Sequence, residues 1–395
     1  MSDARGESPA GVRRIRRADA PVVADVVVPP SKSIANRALI CAALAEGTSE
    51  IAGIAPGDYT RAMIAGLGQL GAGVGERVVD GIHVADVAGT GGELAPGPMV
   101  LDAGLAGTTS RFLTAVAALG RGDYTIDGRP PLRARPMGPL HDSLAALGAT
   151  VTPGETPGHL PVTVAGPLRT ADAVVMPGDV SSQYVSAMML IGPYVPGGLK
   201  LWLSTALVSR PYLEITRAVM AAFGIDGVEV HERHVDVPAG EYLATDYRVE
   251  PDASSASYPL AAAAMVGGAV RVGGLGAASV QGDARFAALL AGMGCIVTQA
   301  DDATVVMRRR DEPLRGIDVD MSDISDLVPT MAVVATQAVT PTRITGVGFI
   351  RAKESDRLGD LAAELAKTGA RVTVEADGLL IEPTDLLHGA RLETH

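Results

Sequence analysis

The chain has 395 residues, with 45 acidic against 33 basic side chains and a net charge of −12, a length that suits two to three domains. That acidity, with only 3% aromatic residues, excludes a nucleic-acid binder, which needs phosphate-neutralising stripes and stacking platforms. The apolar runs are Ala-rich, broken by Gly and shorter than a membrane span, and the basic stretch Arg13 to Arg17 has no apolar region behind it, so a cytoplasmic protein is expected.

The predicted elements repeat along the chain. Starting from Pro30, Asp102, Asp179, Asp252 and Asp323, at intervals of 72, 77, 73 and 71 residues, a short polar turn opens an apolar, Ala-rich helix. A β-rich stretch and a second, amphipathic helix follow each time. The second helices are expected to begin near Asp58, Pro136, Pro211, Asp283 and Ser355. Residues 34–45 and 259–266 are apolar nearly all round, which predicts burial on every side. Each unit is thus one buried helix, one surface helix and several strands. The next opening would fall near position 396, beyond His395. The spacing therefore predicts five units of six, the alternative being a natural five-unit protein. Cys41 and Cys295 sit in apolar segments and make no disulfide framework.

The helix openings carry the chemistry. A helix N-terminus presents unpaired N–H groups and the positive end of its dipole, so it favours anions. Here the openings also carry Lys32, Ser33 and Arg37; Gly107, Thr108 and Arg111; Ser181, Ser182 and Gln183. Ser, Thr and Asp at such places are also ordinary caps, but Lys32 and Arg37 in an apolar helix start need partners. Only four lysines stand beside 29 arginines, and Lys32 and Lys353 both lie at openings. Val28 to Ser33 lacks the glycines of a phosphate-binding P-loop. In Arg351-Ala352-Lys353-Glu354-Ser355-Asp356-Arg357 the alternatives are a solvated first helical turn and an anion clamp (Lys353, Arg357) beside an acid/base group (Glu354). His231 and His234 lack a third ligand in the local sequence and read as surface residues. No HExxH, CxxC or EF-hand spacing occurs, so no metal is expected.

Pro30 to Leu39, Ala106 to Arg111, Arg135-Pro136-Met137, Val180 to Tyr184 and Val208 to Tyr212 together resemble the signatures of one family, the 5-enolpyruvylshikimate-3-phosphate (EPSP) synthases, which are enolpyruvyl transferases. Asp252 to Tyr258, Gln281-Gly282-Asp283 and Arg351 to Leu358 extend the resemblance over nearly the whole chain. It implies an α/β fold: two inside-out, barrel-like domains of βαβαββ units whose buried helices point at the interdomain cleft. One domain would span 28–248, and the other 1–27 plus 249–395.

The resemblance also implies a reaction. The 5-hydroxyl of shikimate 3-phosphate attacks C2 of phosphoenolpyruvate as C3 is protonated, and the adduct loses phosphate. By the matching motifs, Lys32, Ser33, Arg37, Ser181, Ser182, Gln183, Ser209, Tyr212, Asp326 and Lys353 would meet shikimate 3-phosphate. Lys32, Gly107, Arg135, Gln183 and Arg357 would meet phosphoenolpyruvate. Asp326, Glu354 and Lys32 are the acid/base candidates. No cofactor is implied, and the family tendency is monomeric. Gly107, where some relatives carry alanine, implies sensitivity to glyphosate.

Leu105, Pro30, Phe112 and Phe349 depart from the common Asn, Gly, Pro and Asn of the family without removing a charge. Family members continue past the Leu392 to His395 segment with an Asp-His-Arg motif and a later lysine. Their lack implies a chain with little or no activity, since losing one partner of a buried charge pair costs roughly 2–5 kcal/mol. Two alternatives are a non-catalytic shikimate 3-phosphate binder and the UDP-N-acetylglucosamine enolpyruvyl transferase, whose loop cysteine neither Cys41 nor Cys295 supplies.

Overall fold

The computed structural model describes residues 12–55, 57–353 and 355–394. The chain is mixed α/β, and five four-stranded sheets repeat one strand order. The sheet at 99–165 shows the plan. Met99–Asp102 runs parallel to Tyr124–Asp127, which is antiparallel to Val162–Ala165, with Thr150–Pro153 outside it. The parallel pair requires a crossover, and a buried helix supplies it. A second helix then leads into the closing hairpin.

The helices in chain order are α1 (Lys32–Leu44), α2 (Asp58–Gln69), α3 (Gly107–Ala117), α4 (Pro130–Arg133), α5 (Gly138–Ala146) and α6 (Ser182–Ile191). They continue as α7 (Pro211–Ala222), α8 (Ala253–Val266), α9 (Phe286–Gly292), α10 (Val328–Ala335) and α11 (Gly359–Ala366). No helix among the described residues is long and apolar enough to cross a membrane.

Two hydrophobic cores form. One draws on residues 34–249 and encloses α1, α3 and α6; the other takes Val28 and residues 253–381 and holds α8 and α10. We refer to them as the first and second lobes. The two lobes exchange a strand. Val22–Val26 joins the second lobe beside Gly268–Gly273, and Tyr247–Arg248 joins the first beside Thr48–Ala52. The chain therefore crosses between the lobes twice, and the crossing segments pair with each other. Pro30 and Pro251 face one another and have no N–H to give. Their neighbours donate instead, Ser31 N–H to the Glu250 carbonyl at 2.9 Å and Asp252 N–H to Pro29 at 2.8 Å.

Two expectations are corrected. α1 is enclosed from Ile34 to Leu44, but α8 is not buried on every side: Tyr258 is 67% exposed and Met265 and Val266 are half-buried. Among the described residues the second lobe has two inner helices, α8 and α10, where the first has three. The last surface helix starts at Gly359 and not near Ser355. The Asp356 carboxylate accepts from the N–H groups of Leu358 (3.1 Å) and Gly359 (2.9 Å), capping the helix three residues later. The expected second domain also includes residues 1–11 and 395, which lie outside the described residues.

Candidate active site

Three inner helices of the first lobe begin at one cavity of about 190 Å³. At α6, Ser181 caps in the ordinary way, its hydroxyl accepting from Gln183 N–H at 3.3 Å. Neither α1 nor α3 has a side-chain cap; their N-cap residues are Ser31 and Ala106. Their first-turn N–H groups therefore remain available to an anion. Lys32, on the first turn of α1, lies 4.7 Å from the centre of the Tyr59 ring. Arg111 donates to the Gln183 side-chain oxygen and stands over the Tyr184 ring at 5.2 Å. Arg135 packs on the opening of α3. A Cβ at position 107 would fall 2.5 Å from its Nη1, so glycine there is what lets the guanidinium approach the helix start.

Arg37 takes a different place. One turn beyond Ser33 on α1, it is buried and does not line the cavity. Its guanidinium donates to Thr216 Oγ1 (2.7 Å), the Ser33 carbonyl (2.7 Å), Ser186 Oγ (3.1 Å) and the Tyr212 carbonyl (3.4 Å). Among the described residues no carboxylate accompanies it there, and burial lowers its pKa to about 10. Arg37 braces Ser33 and Tyr212 from behind.

The second lobe supplies the opposing wall from irregular segments. Asp326 lies in a 3-10 stretch, Ser322–Leu327, kinked at Ile324. Its Oδ1 accepts from Lys353 Nζ at 2.7 Å and Arg357 Nη1 at 2.6 Å. Its Oδ2 accepts from Tyr212 Oη of the first lobe at 2.8 Å. Burial pushes the Asp326 pKa up, but the charges of Lys353 and Arg357, with the hydrogen bonds from Lys353 and Tyr212, outweigh it and hold the carboxyl well below the usual range. Tyr212 shifts the other way, raised by burial and then by the Asp326 charge. Ser209, at φ 53°, also touches the second lobe, its N–H donating to the Ser322 carbonyl at 3.2 Å.

The described residues that line the cavity include five cations, Lys32, Arg111, Arg135, Lys353 and Arg357, against the single carboxylate of Asp326. In a chain of net charge −12, this concentrates positive potential in one low-dielectric cleft. The arrangement suits two small anions bound side by side, with a carboxylate between them.

A family model described as EPSP synthase (3-phosphoshikimate 1-carboxyvinyltransferase) matches residues 17–395. The chain belongs to the EPSP synthase family. It is 38% identical over 374 residues to the 3-phosphoshikimate 1-carboxyvinyltransferase of Shewanella oneidensis, covering 94% of this chain and 87% of the relative. With the protein of that name from Methanoculleus marisnigri it shares 42% over 376 residues, or 95% and 87% of the two chains. The solved EPSP synthase of Acinetobacter baumannii has the same fold, with a TM-score of 0.78 at 24% identity over 94% of this chain and 86% of that one.

Of the residues that the EPSP synthase motifs single out, Lys32, Ser33, Gly107, Arg135, Ser181, Ser182, Gln183, Ser209, Tyr212, Asp326, Lys353 and Arg357 all line this cavity. Arg37 lies behind it, and Glu354 is outside the described residues. The motif reading gave no role to Asn36, Tyr59, Arg111 or Tyr184, which also line it. Arg111 carried a signal, as a cation at a helix opening. Tyr59 carried none, because its place beside Lys32 depends on how α2 packs against α1.

Proposed function

We propose that this chain transfers the enolpyruvyl group of phosphoenolpyruvate to the 5-hydroxyl of shikimate 3-phosphate and releases phosphate. The observation that carries this reading is Asp326. It is an ionised carboxylate held by Lys353, Arg357 and Tyr212 across one cavity from the open starts of α1 and α3. Ser33, Ser181, Ser182, Gln183, Ser209, Tyr212 and Lys353 hold shikimate 3-phosphate, with Arg37 positioning Ser33 and Tyr212. Lys32, Gly107, Arg135, Gln183 and Arg357 surround phosphoenolpyruvate.

While Lys353 and Arg357 grip Asp326, it is a weak base. Substrate anions that draw these cations onto themselves release the carboxylate and raise its basicity. It then takes the proton of the 5-hydroxyl as oxygen bonds to C2. Lys32 and Glu354 are the groups that deliver a proton to C3. Loss of a proton from C3 then re-forms the C2=C3 double bond as the tetrahedral adduct expels phosphate into the cationic site, which stabilises the developing charge. The two domains, 28–248 and the remainder, close on the paired crossing segments and exclude water. The same reading takes the chain to be a cytoplasmic monomer that works without a cofactor.

Phosphate release from phosphoenolpyruvate tests this directly. The expected result is release that requires shikimate 3-phosphate and saturates with both substrates. Folded protein that binds shikimate 3-phosphate by calorimetry yet releases no phosphate would overturn the reading in favour of a non-catalytic binder.

A further inference from the structure

A second cluster lies on the outer face of the first lobe, away from the cavity. Glu229–Val230 and His234–Val237 form an antiparallel hairpin with Glu229 opposite Asp236. The turn is closed by His231 N–H donating to the His234 carbonyl at 2.9 Å. Strand alternation buries Val235 and Val237 and leaves His234 and Asp236 together on the outer face. The turn brings His231 back over His234, with ring centres 4.1 Å apart and planes 18° from parallel. As a result, one ligand atom from each of His231, His234 and Asp236 lies within 4.8 Å of the others.

We propose that His231, His234 and Asp236 bind a divalent transition-metal ion of the Zn²⁺, Ni²⁺ or Cu²⁺ class. Two imidazoles and one carboxylate favour these ions over Mg²⁺ or Ca²⁺, which prefer all-oxygen sites. The sequence reading expected no metal because the two histidines lacked a third ligand. The fold supplies Asp236, two residues beyond His234 and on the same face of the strand. All three residues are half-exposed, so water completes the coordination. Glu229 contacts His231 Nε2 at 2.9 Å and is placed to orient that ring. Of the neighbouring cations, Arg210 is turned to the Val230 carbonyl (2.7 Å) and Arg233 to the Ser204 carbonyl (3.3 Å). Lys200, opposite Asp236 on the adjoining strand, is the one that opposes metal entry. A bound ion would fasten the turn to its second strand and leave the catalytic cavity untouched.

The chain carries its own reporter. Trp202 is the only tryptophan, and its ring stacks on His234 with centres 4.9 Å apart. Ni²⁺ titrated into tag-free full-length protein should quench its fluorescence saturably, at one equivalent and micromolar concentration. Excess Zn²⁺, which does not quench, should reverse the effect, as should a chelator. His231→Ala, which leaves the Trp202–His234 stack in place, should abolish saturable quenching. Asp236→Asn should weaken it by about 10-fold or more, with phosphate release unchanged in both variants. Quenching that fails to saturate by millimolar Ni²⁺, or that persists in His231→Ala, would overturn the site.

Discussion

The first lobe presents its cations and hydroxyls from the starts of regular helices, whereas the second presents Asp326, Lys353 and Arg357 from 3-10 and loop segments. The packing behind the two walls differs as well. Ser33 and Tyr212 are braced by the buried Arg37, and Gln183 is held by Arg111. On the second lobe the charged groups are bonded mainly to one another, Asp326 satisfying both Lys353 and Arg357. The first wall is therefore organised in advance for anions, while the second must break its own ion pairs to engage them. Preorganisation lowers the cost of binding, and under the proposed mechanism the self-paired wall gives substrate a way to switch on the base only when it is present.

The sharpest way to break this comparison is Asp326→Asn. The amide cannot take a proton from the 5-hydroxyl, and kcat for phosphate release is expected to fall about 10²–10⁴-fold. Shikimate 3-phosphate binding by calorimetry should survive, because the freed Lys353 can still meet the phosphate. A fall in kcat of less than about tenfold would assign the base role elsewhere and make the Asp326 pairs structural.

Arg37→Met tests the first wall. Thr216, Ser186 and two carbonyls would lose their donor in a buried site, at a cost of about 2–3 kcal/mol in urea unfolding. The KM for shikimate 3-phosphate should rise less steeply than stability falls. Unchanged stability with collapsed substrate affinity would mean that Arg37 turns into the cavity, and the contrast between a braced wall and a self-paired wall would fail.

The sequence made the openings legible because polar turns before Ala-rich runs follow from helix-end chemistry, which is local. Twelve motif residues meet at one cavity; Lys32, Ser33, Ser181, Ser182 and Gln183 among them follow from helix-end chemistry, whereas Arg135, Ser209, Tyr212 and Asp326 were legible only through the family resemblance. What stayed hidden depends on distant packing. Composition and spacing do not reveal the strand exchange, because Val22–Val26 would suit the edge of either lobe's sheet; only the family resemblance, which groups 1–27 with 249–395, implied it. Arg37 was grouped with Lys32 and Ser33 at one helix opening, and only its bonds to Thr216 and Ser186 show that it is buried behind the cavity. Asp356 looked like a first-turn helical residue but serves as the cap before Gly359. Asp236 shares a strand face with His234 by simple alternation, and only the turn that folds His231 back over His234 gathers the proposed metal cluster.

A second carboxylate of the second lobe, Asp283, sharpens the comparison with Asp326. Both face the first-lobe segment Pro211–Tyr212, but Asp283 lies in a crevice of about 10 Å³, room for about one water. It accepts a hydrogen bond from Ser254, and among the described residues no cation is paired to it. Burial pushes its pKa up to about 7; the Ser254 bond opposes this, the charges of Asp326 and Asp252 add to it, and Lys353 opposes it. The folded chain then holds a proton that the unfolded chain has released above about pH 4. Stability from this group is therefore present at low pH and is lost as pH rises toward 7. Asp283→Asn, which keeps an acceptor for Ser254 without the charge, should be more stable than the parent at pH 8. The gain should be on the order of 1–2 kcal/mol, reduced from the full linkage value by a water in the crevice, and should shrink toward pH 5. Urea midpoints of both proteins across that range decide it. A difference that does not change with pH would show that Asp283 is already paired or hydrated, like the carboxylate on the other side of Tyr212.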